Sequence, residues 1–143
     1  MRNSFKTPLI VEVLPSGKRF KLHFAFSYFW KSGSELVRVK QGFETDFASI
    51  PRILRIIIPK LGRWNKAAVV HDWLYSADGR LWWVDREIAD LIFLDAMADL
   101  GVAKWKRYVM YWGVRLGGWL AWRKRYQIGW IPTWLQEWEK ESE

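Results

Sequence analysis

Alternating apolar and polar residues dominate the first third of the chain and predict β-strands. Residues 9–14 are mostly apolar and rich in β-branched side chains, and a turn follows at 15–18. A further turn at 31–34 leads into a strand at 35–41. Between these turns, residues 19–30 are expected to form one strand with large side chains on a single face: Phe20, Leu22, Phe24, Phe26, Tyr28 and Trp30. The pattern predicts a three-stranded antiparallel meander over residues 1–41.

Beyond residue 64 the apolar positions recur every three or four residues, which predicts helices. We expect helices over residues 65–77, 82–100 and 103–126. Asp85 is placed to cap the second helix, and Gly101 follows its end. Residues 42–63 have little periodicity, so we expect a structured loop at 42–51 and then a short helical turn capped by Ser49. The chain is predicted to be one α+β domain, with a short N-terminal meander, three main helices and a Trp-rich tail at 127–143.

Length and composition support a folded domain and exclude several kinds of chemistry. The 143 residues are half hydrophobic, which suits one modest core. Because the chain has no cysteine, disulfides, thiolate metal sites and cysteine nucleophiles are excluded. We expect neither a secretory signal nor a membrane-spanning helix, since Arg107, Arg115 and Arg123 interrupt the most apolar C-terminal stretch. An intracellular or virion setting is expected.

Charge and tryptophan content point to acidic or amphipathic partners. The formal net charge is +8, and the chain contains 12 Trp. Such a balance is typical of proteins that bind nucleic acid, an anionic membrane surface or an acidic protein. No recognised DNA-binding motif is present, so specific nucleic-acid recognition is not expected. The alternative is that the Trp side chains simply fill a small core.

The strongest candidate for chemistry is a pair of helices carrying a histidine and several carboxylates. In the first helix His71 and Tyr75 lie one turn apart on one face, with Asp72 at the edge of that face. An imidazole can act as a general base or a metal ligand near neutral pH. If the two helices pack antiparallel, Asp90 reaches His71 and fixes its tautomer, and Arg86 lies one turn before Asp90.

Simpler explanations exist for the same residues. The His71–Asp72 pair can be a buried structural hydrogen-bonding unit, and Arg86–Asp90 can be a surface ion pair at i,i+4 spacing. Asp46 can be an ordinary loop-capping group. His23 falls on the polar face of its strand and is expected to be structural. No Gly-rich phosphate loop, zinc-binding His-Glu-x-x-His helix or Gly-x-Ser-x-Gly elbow is present.

The third predicted helix is rich in tryptophan and basic residues. Three interpretations remain open: an interfacial helix that binds anionic lipid, a docking helix for a neighbouring virion subunit, and a core helix with a solvated basic face. The residues expected to form the membrane or partner surface are Trp105, Trp112, Trp119, Trp122, Arg115, Arg123 and Arg125.

Three stretches of the sequence together resemble a family of unknown function found mainly in tailed bacteriophages and prophages. The first is Gly-Phe-Glu-Thr-Asp-Phe-Ala-Ser-Ile-Pro at 42–51, and the second is Ala-Ala-Val-Val-His-Asp-Trp-Leu-Tyr at 67–75. The third comprises Arg86, Ala89, Asp90 and Phe93. The resemblance covers residues 40–118 and implies a phage origin without supplying an activity.

The His-Asp-x-x-Tyr helix, followed by a helix bearing an aspartate, also resembles the catalytic pair of phospholipase A2 enzymes. That likeness implies that His71 activates water, Asp90 orients His71 and Tyr75 supports the network. It further implies that Asp72 holds calcium. The sequence lacks the disulfides and the Gly-rich calcium loop of those enzymes, so Thr45 and Asp46 of the 42–51 loop would have to take the place of that loop.

Two hypotheses for function follow. The first is a phage hydrolase that uses His71, Asp72 and Asp90 on lipid or cell-envelope substrates, with calcium as its cofactor. The second is a non-enzymatic virion component, associated with the tail or capsid, in which the same cluster is structural. The expected partners are phage structural proteins or an anionic membrane surface. The expected locations are the virion or the cytoplasm of an infected bacterium, with peripheral binding at a membrane.

Overall fold

A computed structural model describes residues 4–47, 58, 62–76, 79, 81–119 and 122. Five short strands precede three helices, which confirms the α+β prediction. The strands are β1 (Val11–Val13), β2 (Phe20–Leu22), β3 (Phe26–Trp30), β4 (Glu35–Val39) and β5 (Glu44–Thr45). The helices are α1 (Asn65–Tyr75), α2 (Arg86–Asp99) and α3 (Lys104–Gly117). None of the described helices is long and apolar enough to cross a membrane.

The strands form two small antiparallel sheets, so the prediction of a single meander is wrong in detail. One sheet has the order β1-β2-β5, and the other pairs β3 with β4. The predicted strand at 19–30 is split because the chain bends after Leu22, and Phe24 is exposed instead of joining the aromatic face. Gly42, at φ 85°, turns the chain so that Glu44 pairs with Lys21 and extends the first sheet.

Helix α1 lies at the centre of the core. Its residues Ala67, Ala68, Val69 and Val70 are fully buried, and it contacts both α2 and the strands β4 and β5. A helix that is apolar on nearly every side is stable only when other elements surround it. His71 directly follows these residues in α1, so the central position of the helix places its side chain in the protein interior.

The helix ends follow local capping chemistry. Asp85 caps α2 as predicted, because its carboxylate accepts the Ile88 backbone N–H at 2.8 Å. Gly101 follows α2 at φ 75°, a left-handed conformation that favours glycine. Helix α1 ends at Tyr75, two residues before the predicted end. The predicted turn after Ser49 lies largely outside the described residues, and so does the Trp-rich tail.

Two aspartates on α2 hold the β3–β4 hairpin against the helices. Asp95 accepts the Trp30 indole N–H at 2.8 Å, and Asp99 accepts the Tyr28 hydroxyl at 2.8 Å. Tyr28 is fully buried, so its hydroxyl depends on Asp99 for the hydrogen bond that water would otherwise provide.

We predict that Asp99→Ala lowers the free energy of unfolding by about 1–3 kcal/mol, because the buried Tyr28 hydroxyl loses its acceptor. Chemical denaturation followed by circular dichroism measures the change. The control, Glu12→Ala on an exposed strand position, should change stability by no more than about 0.5 kcal/mol. Equal effects of the two substitutions would contradict this account of the hairpin.

Candidate functional site

A buried histidine–carboxylate pair joins α1 to α2. The imidazole Nε2 of His71 lies 2.8 Å from Oδ1 of Asp90, which confirms the predicted contact between these two residues. The Asp90 side chain is fully buried, and that of His71 is 5% exposed. Small residues on both helices, including Ala67 on α1 and Ala89 on α2, leave room for this close approach.

Two further donors converge on the same carboxylate. The Tyr75 hydroxyl donates to Asp90 Oδ1 at 2.5 Å, and the Arg115 guanidinium donates to Oδ2 at 3.0 Å. Arg115 comes from α3, so one carboxylate binds side chains from both neighbouring helices. We call His71, Tyr75, Asp90 and Arg115 the Asp90 cluster.

The cluster keeps Asp90 ionised despite its burial. Burial by itself raises the pKa of Asp90, but hydrogen bonds from His71, Tyr75 and Arg115 outweigh it and leave that pKa below its ordinary value. Burial and the adjacent carboxylate raise the pKa of Tyr75, so this phenol stays protonated and donates. Burial by itself lowers the pKa of Arg115, but the hydrogen bond and the charge of Asp90 raise that pKa above its ordinary value and keep the guanidinium cationic.

The charge on Asp90 determines the tautomer of His71. An ionised carboxylate only accepts hydrogen bonds, so Nε2 must carry the proton. In the neutral imidazole Nδ1 then has a free lone pair. Within the described part of the chain, Nδ1 is buried and has no hydrogen-bond partner. The imidazole ring packs on Tyr75, with centroids 4.2 Å apart, and on Phe93, with centroids 4.7 Å apart.

Asp72 points to a different neighbour, the short strand β5. The Thr45 hydroxyl donates to Asp72 Oδ2 at 2.5 Å and accepts the Phe47 N–H at 3.0 Å. Phe47 has a φ of 62°, which is uncommon for a residue with a side chain, and its ring packs on Phe20. The start of the 42–51 loop is thus fixed to α1 beside His71.

The predicted metal ligands do not gather into a cation site among the described residues. No group of three or more histidine, cysteine, aspartate or glutamate side chains could hold a metal in that part of the chain. Asp46 is half-buried, while Asp72 and Thr45 bond to each other. Calcium prefers six or more oxygen ligands, so this pair alone does not fit it. Calcium binding stays a prediction.

Arg86 does not form the predicted surface pair with Asp90. Its Nη2 donates to the backbone carbonyl of Val114 at 3.0 Å and to that of Arg115. Its Nε has no partner among the described residues. Arg86 therefore ties the start of α2 to the last turns of α3, and Asp90 is too deeply buried to be part of a surface pair.

The predicted partner surface divides into two groups. Arg115 and Trp122 belong to the interior side: Arg115 binds Asp90, and the Trp122 ring packs edge-on against Tyr75 with centroids 5.2 Å apart. Trp105, Trp112 and Trp119 are exposed on the outer side. Arg123 and Arg125 lie outside the described residues.

Sequence reasoning missed the role of Arg115. It was grouped with the other basic residues of the third helix because the sequence gives no rotation of α3 relative to α2. The available signal was Asp90 itself, since a carboxylate within an apolar stripe needs a charged partner and further hydrogen-bond donors when it is buried.

Comparison with known proteins gives a family for this chain. The family model described as "Protein of unknown function (DUF1353)" matches residues 20–114, about two thirds of the chain. The chain belongs to this family. The DUF1353 match includes His71, Asp72, Tyr75 and Asp90, and begins earlier than the resemblance predicted from sequence. Searches of curated proteins and of solved structures found no significant match.

We predict that Asp90→Asn lowers the free energy of unfolding by about 3–5 kcal/mol, because it leaves the Arg115 charge without its buried partner. Asp95→Asn is the matched control, since Asp95 lies on the same helix but is only partly buried. It should cost about 1 kcal/mol. Equal losses, measured by urea denaturation, would contradict the central role of Asp90. Tyr75→Phe removes one donor and provides a milder variant if Asp90→Asn does not fold.

The depressed pKa of Asp90 predicts an acid-sensitive fold. As pH falls through the ordinary aspartate range near 4, the unfolded chain takes up a proton that the folded protein does not, so stability decreases. The stabilisation is present above that range and is lost towards the lower folded pKa. Urea titrations between about pH 6 and pH 3 should give a shallower decline for Asp90→Asn than for wild type. Identical slopes would refute this assignment.

Proposed function

We propose that this DUF1353 protein is a hydrolase of lipid or cell-envelope substrates, acting in a phage-infected bacterium, with His71 as its general base. The observation that supports this most strongly is the hydrogen bond from His71 Nε2 to Asp90, which leaves Nδ1 with an unused lone pair. A carboxylate that orients an imidazole through one nitrogen, while the other nitrogen takes a proton, is a recurring arrangement in hydrolases.

The energetics of Nδ1 favour this proposal over a purely structural cluster. A buried acceptor without a partner costs about 1–3 kcal/mol. The other members of the Asp90 cluster are hydrogen-bonded, so the imidazole nitrogen is an exception within it. A catalytic role is one of the known explanations for a buried polar atom without a partner, although Ser4 Oγ, Trp64 Nε1 and Arg86 Nε share this state among the described residues.

The chemistry proposed for an ester substrate is the following. Nδ1 removes a proton from a water molecule, and the water oxygen forms a bond to the carbonyl carbon. Asp90 stabilises the resulting imidazolium. The tetrahedral intermediate then breaks its bond to the leaving oxygen, which receives the proton from His71. Because Nδ1 has almost no accessible surface, neighbouring groups must move to admit water and substrate.

The second candidate function is a non-enzymatic virion component, associated with the tail or capsid. One observation favours it: Asp90 is completely buried and binds side chains from α1 and α3. Fixing the packing of the three helices is then the whole role of the cluster. If the cluster is structural, removing His71 changes only the stability of the protein. If the protein is a hydrolase, removing His71 also abolishes its activity.

We predict that the wild-type protein releases fatty acid from phospholipid vesicles or soluble fragments from peptidoglycan. His71→Ala should lower kcat/KM by about a hundredfold or more, because the general base is lost. His23→Ala is the matched control and should have full activity, since His23 is exposed in the bend after β2 and not in a strand as predicted. Assays with calcium and with a chelator, together with Asp72→Asn, test whether calcium participates.

Folding must be separated from catalysis in this assay. Tyr75→Phe and Tyr28→Phe each remove one tyrosine–aspartate hydrogen bond, but only Tyr75 lies beside His71. A loss of activity confined to Tyr75→Phe supports the enzyme. The enzyme proposal fails if folded wild-type protein turns over neither substrate, with or without calcium, or if folded His71→Ala is equally active.

A further inference from the structure

The outer face of α3 exposes a continuous apolar stripe. Its five members are between 40% and 76% exposed: Trp105, Tyr108, Trp112, Leu116 and Trp119. Their spacings of three or four residues place them on one side of the helix, within an arc of about 80°. The helical turn continues past α3, since the Trp122 N–H donates to the Gly118 carbonyl at 3.0 Å. We call these five residues the Trp stripe.

The Trp stripe is not the side of α3 that packs on the core. Met110 is 3% exposed and lies on the opposite side, where Val114 also contacts the core. Helix α3 thus packs on the core through Met110 and Val114, as the core-helix interpretation expects, while its outermost face is aromatic. Three half-exposed Trp leave on the order of several hundred Å² of aromatic surface in water, which commonly marks a binding surface.

The segment that carries the Trp stripe is basic, although Arg115 is paired with Asp90 on the other side of α3. Residues 104–119 contain four basic residues and no acidic ones: Lys104, Lys106, Arg107 and Arg115. At 100° per residue, Lys104 and Lys106 flank the stripe on its two sides. The Lys106 ammonium lies 5.5 Å from the Trp105 ring centroid, which keeps a cation beside the aromatic surface.

We propose that the Trp stripe docks on the surface of an anionic lipid bilayer. Trp and Tyr side chains are favoured at the level of lipid headgroups, where their rings are buried and their polar atoms stay hydrated. Lysines beside such a face bind anionic headgroups while their alkyl stems cover apolar surface. An amphipathic helix of this composition lies in the plane of the interface without crossing it.

Charge argues for lipid over a second copy of the chain. Two copies that met through the Trp stripe would add the positive charges of one protomer's Lys104 and Lys106 to those of the other, and repulsion between like charges opposes such association. An anionic bilayer neutralises the same lysines. Docking does not depend on the proposed hydrolase activity, since His71 lies in α1 and not in the stripe.

The test is flotation of the full chain with vesicles of equal parts phosphatidylglycerol and phosphatidylcholine. We expect wild type to float with these vesicles far more than with pure phosphatidylcholine. The double substitution Trp105→Ser, Trp112→Ser should weaken binding about tenfold or more, because two aromatic contacts are lost. Trp82→Ser is the matched control, since Trp82 is 95% exposed and lies outside the stripe.

A second pair of variants tests the charge. Lys104→Glu with Lys106→Glu should weaken binding about tenfold or more, whereas Lys40→Glu, at an exposed position just after β4, should have little effect. Circular dichroism confirms that each variant is folded, and His71→Ala should float like wild type even if it hydrolyses nothing.

Three results would overturn the lipid proposal. The first is that wild type is absent from the floating fraction of anionic vesicles, and the second is that Trp82→Ser loses as much binding as the Trp105→Ser, Trp112→Ser variant. The third is that light scattering shows wild type to be a dimer that does not bind vesicles, while the Trp105→Ser, Trp112→Ser variant is a monomer. This result would assign the Trp stripe to self-association.

Discussion

The buried carboxylate of Asp90 is the constraint on which the arrangement of the three helices depends. Removing an ion from water costs several kcal/mol, and only well-placed donors offset that cost. Here the donors are His71 and Tyr75 of α1 and Arg115 of α3. Because one residue of α2 needs partners from both neighbours, the rotation and register of all three helices are linked. The same linkage turns the Trp stripe of α3 outward.

Much of the helical part of this DUF1353 protein was predictable because its signals are local. The three- and four-residue spacing of apolar side chains located α1, α2 and the start of α3. Asp85 and Gly101 marked the ends of α2 through their own capping chemistry. The contact between His71 and Asp90 was also predictable, since a short connection favours antiparallel helices that face each other.

The remaining features depend on contacts between distant parts of the chain. An alternating pattern does not show where a strand bends. The pattern therefore predicts Phe24 on the buried face, whereas the structure exposes it. Strand β5 forms only because Gly42 turns the chain back towards β2. Arg115 resembled the other basic residues of α3 until the packing against α2 was known. Each of these errors concerns tertiary structure and not local propensity.

The central claim is that Asp90 holds His71 as a base with a free Nδ1. Nitrogen-15 NMR of histidine-labelled protein tests this directly, because the chain contains only His23 and His71. His23→Ala assigns the two rings. Because the ionised Asp90 carboxylate accepts from Nε2, we expect the His71 ring to carry a proton on Nε2 and none on Nδ1. A proton found on Nδ1 of His71 would contradict the account.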